Sequence, residues 1–221
     1  MPPATTAPRP RPGRGQDILR VFTEKLAESG YDGTSISAVA SELGLSKGTV
    51  MHHYGSKDRL LQQTMLGYMQ RRNAEVIAIR KQFGDPEQRL AAIIVAMVTA
   101  HRDDRAATIA FSRELMRFAN DPVMDEVRLL RRDFTNEVRR VIEDGMAAGT
   151  FRRGDSTLAA LQIIGACNWL WTWLEPGGRL GVDEIAHEFV GSMLGGLLYA
   201  DPPDPGTTLD FVGELRAATP A

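Results

Sequence analysis

Between residues 46 and 57 the chain gathers hydrogen-bond donors and cations at close spacing: Ser46, Lys47, Thr49, His52, His53, Tyr54 and Lys57. Two hydroxyls, an ammonium and two imidazoles on one short, small-sided helix suit recognition, because they can reach base edges and phosphate oxygens. Gly48 adds no side chain there and allows close approach to a nucleic-acid backbone. Lys57, beside the free amides that open the next helix, makes an anion site, and Thr34 and Ser35 offer the same at the helix before. His52 and His53 are adjacent and so point to different faces of a helix. With no Cys or acidic ligand at metal spacing nearby, they predict no metal site.

The residues that would carry catalysis are absent from the sequence. There is no Gly-x-Ser-x-Gly, no phosphate-binding glycine loop, no His-Glu-x-x-His and no cysteine pair. Cys167, the one cysteine, sits in an apolar segment and reads as a buried, inert thiol. A lone cysteine forms no intrachain disulfide, which fits a reducing compartment. These points predict a non-enzyme that needs no cofactor.

The elements that must hold the donor cluster follow from apolar spacing. Ile18, Leu19, Phe22, Leu26 and Ala27 recur at steps of three and four over residues 16–28, and Gly30 is a fitting end cap. Thr34 and Ser35 then open a second helix carrying Ile36, Val39, Ala40 and Leu43. Gly44 and Leu45 turn the chain, and Ser46 opens a third short helix to about residue 53, with Val50 facing back towards Leu43 and Leu45. Helix, glycine-bearing turn and second helix form a helix-turn-helix, whose second helix enters the major groove of DNA. Ser56 caps a fourth helix running to about residue 82. Further helices are predicted over 87–101, 105–118, 123–148, 156–174 and 182–199, separated by Gly-Asp-Pro, Asn-Asp-Pro and Glu-Pro-Gly-Gly breaks. The fold class is all-α, with about nine helices: a three-helix N-terminal head and a larger C-terminal helical body. No strand pattern or internal repeat is visible.

Composition agrees. The chain has 221 residues, 43% of them hydrophobic, enough for a sizeable core. Its net charge of −2 hides an asymmetry. Residues 1–81 carry 12 Lys and Arg against 7 Asp and Glu, while the remainder carries 14 against 21. A basic head on an acidic body matches a DNA-binding module joined to one that does not touch DNA. No stretch reads as a signal peptide, and the longest apolar run, residues 90–100, falls short of a membrane span. A cytoplasmic protein is expected. Residues 1–14, rich in proline, form a tail expected to be extended, whose Arg9, Arg11 and Arg14 are either solvated or follow phosphates.

Two parts of the body admit alternative readings. Gly191 and Gly195 lie four apart among Phe189, Met193, Leu194 and Leu198, so one face of the last helix is small-sided and much of its girth is apolar. This is either an ordinary core helix or, with Leu161 on the helix before it, half of a four-helix dimer interface. Trp169 and Trp173 share a face in a segment holding all three tryptophans. They serve packing, or they line a small-molecule cavity together with Asn168, Arg113, His101, Phe111 and Met97. Arg128, Arg131 and Arg132 read first as a solvated face of the long helix.

The segment Gly44 to Leu61, with the upstream run Tyr31 to Ala40, resembles the TetR family of bacterial repressors over about residues 16–62. There a short third helix is followed by an aromatic pair and a lysine at the start of the fourth. The resemblance implies that Thr49, His53 and Lys57 occupy positions that commonly touch DNA. It favours the dimer reading, implies repression relieved by a small-molecule effector, and makes the fourth helix the lever between head and body. Met51 stands where the family often has tyrosine, and a thioether donates no hydrogen bond to phosphate. The tryptophans before Pro-Gly-Gly are similar to members that respond to acyl-CoA thioesters, and for such an effector Arg128, Arg131 and Arg132 have the alternative reading of contacts to the coenzyme A phosphates. The expected partners are thus double-stranded operator DNA, a small hydrophobic or acyl-CoA effector and a second copy of the chain, with no membrane. The expected domains are a tail at 1–14, a DNA-binding domain at 15–62, a ligand-binding and dimerisation domain at 63–200 and a loose tail at 201–221. The rival reading is a helical adaptor that binds another protein.

Overall fold

A computed structural model describes residues 13–115 and 121–198. The expected tails, including Arg9 and Arg11, and the predicted helical residues 116–118 and 199 lie outside the described residues. Among those described, the regular structure is helical throughout.

Helix α1 (Arg14–Gly33) buries Ile18, Val21, Phe22 and Leu26 on one stripe. Four such side chains, each contributing about 1.5–3 kcal/mol on burial, build the small core of the head. Gly30 interrupts α1 with φ 69° and ψ 178°. That left-handed backbone is open to glycine and costly for other residues, so the chain bends where the sequence places a cap. Helix α2 (Ile36–Glu42) is capped by Ser35, whose hydroxyl accepts from the Ala38 N–H at 3.0 Å. Gly44, at φ 64°, lets the Leu45 N–H return to the Ala40 carbonyl at 2.8 Å, which closes the turn into α3 (Lys47–Tyr54).

Helix α4 (Lys57–Gln82) joins head to body. Helix α5 (Pro86–Asp103) starts on Pro86, capped by Asp85, and α6 (Arg105–Glu114) follows almost at once. A 3₁₀ turn, Pro122–Met124, leads into α7 (Asp125–Ala147). Asp121 accepts from the Val123 N–H there, and this cap tightens the first turn before the α-helix begins. Helix α8 (Ser156–Trp169) is shorter than its apolar run predicts. It tightens into a 3₁₀ turn at Leu170–Thr172, and Trp173 has left the helical region, three residues before Pro176. Helix α9 (Val182–Leu198) packs along α5, with Arg102 donating to Asp183 at 2.8 Å. The body core lies where α4, α5, α7 and α8 meet, around Leu90, Ile93, Ile94, Val138, Val141 and Ile142.

Candidate nucleic-acid interface and ligand cavity

Helix α3 is held by Val50, by partly buried Met51 and Tyr54 and by a cap at Ser46. Val50 is fully buried, while Lys47, Gly48, His52 and His53 are exposed. Ser46 caps α3 by accepting from the Thr49 N–H at 3.0 Å, and its hydroxyl also bonds the Thr49 hydroxyl at 2.9 Å. The pair therefore offers one organised group at the helix start. A Cβ on Gly48 would meet only the Ser46 hydroxyl, at 3.5 Å, an ordinary contact. Packing within the described residues thus gives no reason for a glycine at position 48. The Lys57 ammonium lies 4.0 Å from the centre of the Tyr31 ring, and the Tyr31 hydroxyl donates to Asp58. These contacts steady the start of α4 beside α3. Met51 packs on the head core, so it is a filler there.

Two predicted interface residues are occupied inside the head. Thr34 is buried at 2% exposure and donates its hydroxyl to the Gly30 carbonyl at 2.8 Å. Tyr54 donates to the Gly15 carbonyl at 2.7 Å, tying the end of α3 to the start of α1, and burial pushes its phenol above the ordinary value. The spacing that marked both as donors is also what a structural tie requires. Ser35 stays exposed, although its hydroxyl serves α2.

The body holds an apolar cavity of about 100 Å³ among α4, α5, α6, α7 and α8, lined by Tyr68, Met69, Arg72, Met97, Phe111, Arg131, Phe134, Thr135, Leu161, Ile164 and Asn168. Tyr68 stacks on Phe111 with ring centres 4.6 Å apart. Of the seven predicted ligand residues, Met97, Phe111 and Asn168 line it and four do not. His101 is buried behind the wall with its Nε2 3.1 Å from the Cys167 carbonyl, and burial lowers its pKa. The Arg113 guanidinium leaves the cavity to donate to the Ala27 carbonyl at 2.9 Å. Trp169 and Trp173 lie on the outer surface, 64% and 48% exposed.

The sequence reading missed the α4 and α7 walls. Tyr68, Met69 and Arg72, and Arg131, Phe134 and Thr135, follow i, i+1, i+4 and i, i+3, i+4 spacings, so the faces were findable. From the sequence Arg131 reads as solvated or as a phosphate contact. It lines the cavity, partly buried, and its pKa is lowered by burial alone.

Phe111 and Arg131 also border a second, smaller cavity with Leu61, Met65, Glu114, Leu115 and Met124. Glu114, one helical turn beyond Phe111, is buried and accepts from the Tyr31 N–H at 2.7 Å. A Cβ on Gly30 would meet the Glu114 carboxylate at 3.1 Å. Gly30 therefore serves twice, for its backbone angle and for the close approach of α6. Through Glu114 and Arg113 the head rests on α6 as well as on α4, which widens the lever expected from the sequence.

Two family models match the chain: residues 18–64 fit the bacterial regulatory proteins of the tetR family, and residues 84–197 fit the tetracyclin repressor-like C-terminal domain. The chain belongs to the TetR family. It is a DNA-binding transcriptional regulator. Among curated relatives, the transcriptional repressor KstR2 of Mycolicibacterium smegmatis is 20% identical over 195 residues, 88% of this chain and 95% of KstR2. A tetR-family regulatory protein from Rhodococcus RHA1 superposes with a TM-score of 0.77 at 28% identity, covering 85% of this chain and 98% of that one. The structure of AibR in complex with isovaleryl coenzyme A and operator DNA has a TM-score of 0.76 at 23% identity, covering 81% and 97%.

In this TetR-family chain α8 and α9 both expose apolar side chains among the described residues. Leu158, Leu161 and Leu198 are 61%, 51% and 41% exposed, and Trp169 lies at the end of the same helix. A Cβ at Gly165, Gly191 or Gly195 would meet nothing within 4 Å. Phe189 and Met193 are partly covered. Leu194, predicted for the outer face, is buried in the body core of its own chain, and its place on α9 is the reason: it lies one turn from Leu197, which is buried too. Leu161 reaches both the open face and the cavity.

Proposed function

We propose that the protein is a dimeric repressor that leaves its operator when an acyl-CoA-type effector enters the cavity of the body. The observation that carries this reading is the short path from cavity to head. Phe111 lines the cavity, Glu114 follows one turn later on α6, and its carboxylate holds the Tyr31 N–H at the bend ending α1. An effector that binds better when Phe111 has shifted favours a conformer with the heads wrongly placed, and linkage then requires that it weaken DNA binding. The exposed face of α8 and α9 supports a two-fold dimer. A second copy covering Leu158, Leu161, Trp169 and Leu198 removes apolar surface from water and sets two heads on successive major grooves. In this reading Lys47, Gly48, Thr49 with Ser46, His52, His53, Lys57 and Ser35 face the DNA. The domains divide near residue 62, the protein works in the cytoplasm, and it catalyses no reaction.

The effector class draws on the family. AibR has been seen with isovaleryl coenzyme A, and a fatty acid metabolism regulator of Bacillus subtilis is 20% identical over 186 residues. With an operator duplex found by genomic selection, isovaleryl-CoA, octanoyl-CoA and free coenzyme A are titrated against the complex. A thioester should lower operator affinity by roughly 5- to 150-fold while free coenzyme A does not. Operator affinity unchanged by both saturating thioesters would remove the effector reading.

A further inference from the structure

We infer that the part of the effector entering the cavity carries a carboxylate, and that the Arg131 guanidinium binds it. The inference deepens the effector reading above and rests on it only in taking this cavity as the effector site. Eight of the eleven lining residues are apolar, aromatic or hydroxyl-bearing, which leaves Arg72, Arg131 and Asn168. Arg72 has its charge met by Glu75 at 3.2 Å and Asp104 at 3.9 Å, and only its buried Nε has no hydrogen-bond partner among the described residues. Arg131 makes no side-chain hydrogen bond or ion pair among the described residues. Glu114, which shares the smaller cavity with it, is occupied by the Tyr31 N–H. The neighbouring Arg128 donates to the Asp121 carbonyl and pairs with Asp125.

A cation in that setting has a chemical consequence. Arg131 is already partly buried, and a purely apolar ligand would cover it further while offering no acceptor, which costs free energy for a charge drawn from water. A carboxylate presents two oxygens that match the planar guanidinium fork. The volume decides where that carboxylate sits. A cavity of 150 Å³ holds about one benzene ring, so about 100 Å³ has room for the end of a short chain and excludes a nucleotide. The charge that Arg131 meets therefore belongs to the acyl part or to a free acid, and the phosphates of coenzyme A stay outside. Asn168, with donor and acceptor both free of side-chain partners among the described residues, is placed to bond a carbonyl on the same ligand.

The test is calorimetric titration of the full-length protein with four probes: adipoyl-CoA, hexanoyl-CoA, free coenzyme A and free hexanoate. The two thioesters have the same chain length and differ by a terminal carboxylate. Adipoyl-CoA should bind at least 10-fold more tightly than hexanoyl-CoA. Arg131→Met should erase that preference, weakening adipoyl-CoA by 10-fold or more and hexanoyl-CoA by less than 3-fold, with an undiminished melting temperature. Arg131→Lys should fall between, and it decides the matter if the methionine variant does not fold. Hexanoate binding that depends on Arg131, with neither thioester bound, would overturn the acyl-CoA reading and uphold the Arg131 assignment. Equal binding of the two thioesters overturns the inference. So does parallel weakening of both thioesters and coenzyme A by Arg131→Met, which would assign Arg131 to phosphates. Binding of none of the four probes overturns it as well.

Discussion

At position 48 the stability of the chain and its function pull in opposite directions. Gly48 has helical backbone and open space around it, so alanine there should stabilise the head by up to about 1 kcal/mol through helix propensity. The same methyl group would stand between α3 and the DNA backbone. Gly48→Ala should therefore raise the melting temperature and lower operator affinity, measured by thermal unfolding and by fluorescence anisotropy. A variant that binds DNA as before would place the glycine away from the interface. Residue chemistry was legible here because donors on a short helix have few other uses. It misled at Thr34 and Tyr54, since a hydroxyl that can reach phosphate can equally reach a nearby carbonyl, and sequence gives no distance between them.

The helices were readable from apolar spacing and caps: Ser35, Ser46, Ser56 and Asp85 all accept at the helix starts the sequence marked. What the periodicity could not give is which helices meet. Glu114 and Tyr31 are far apart in sequence, yet they make the joint between α6 and α1. Glu114→Ala leaves the Tyr31 N–H without its acceptor, at a cost of about 1–3 kcal/mol. It should retain effector binding by calorimetry and shrink the effector's influence on operator affinity. Full retention of that influence would return the lever to α4 alone. His101 was misplaced for the same reason: an imidazole amid apolar residues reads as a cavity ligand until its neighbour, the Cys167 carbonyl, is known. Burial lowers its pKa, so the folded chain resists the proton that the unfolded chain accepts near 6.5. Above that pH both states are neutral and stability is unaffected. As pH falls below about 6.5 the unfolded state binds more protons, and stability declines until the lowered folded pKa is passed. Thermal unfolding between pH 7.5 and 5.5 should show the decline, and His101→Gln should reduce it.

At the scale of the whole molecule, a basic head, a cavity lined by Arg72 and Arg131 and exposed apolar side chains on α8 and α9 stand on an all-helical frame. The charge asymmetry and the glycines of α9 hinted at the head and the face. The cavity was legible in part, through Met97, Phe111 and Asn168, but its α4 and α7 walls contribute residues that look ordinary until five helices converge. The central claim is sequence-specific DNA binding by a pair of α3 helices. Its most direct test is genomic selection of DNA by the purified protein, followed by operator affinity measured as salt rises. The account predicts enrichment of a short palindrome with half-sites about 34–36 Å or a multiple apart. It also predicts a steep loss of affinity with salt, whose slope falls by about one in Lys47→Ala and in Lys57→Ala. Enrichment no better than random DNA, or affinity indifferent to salt and to both lysines, would contradict it.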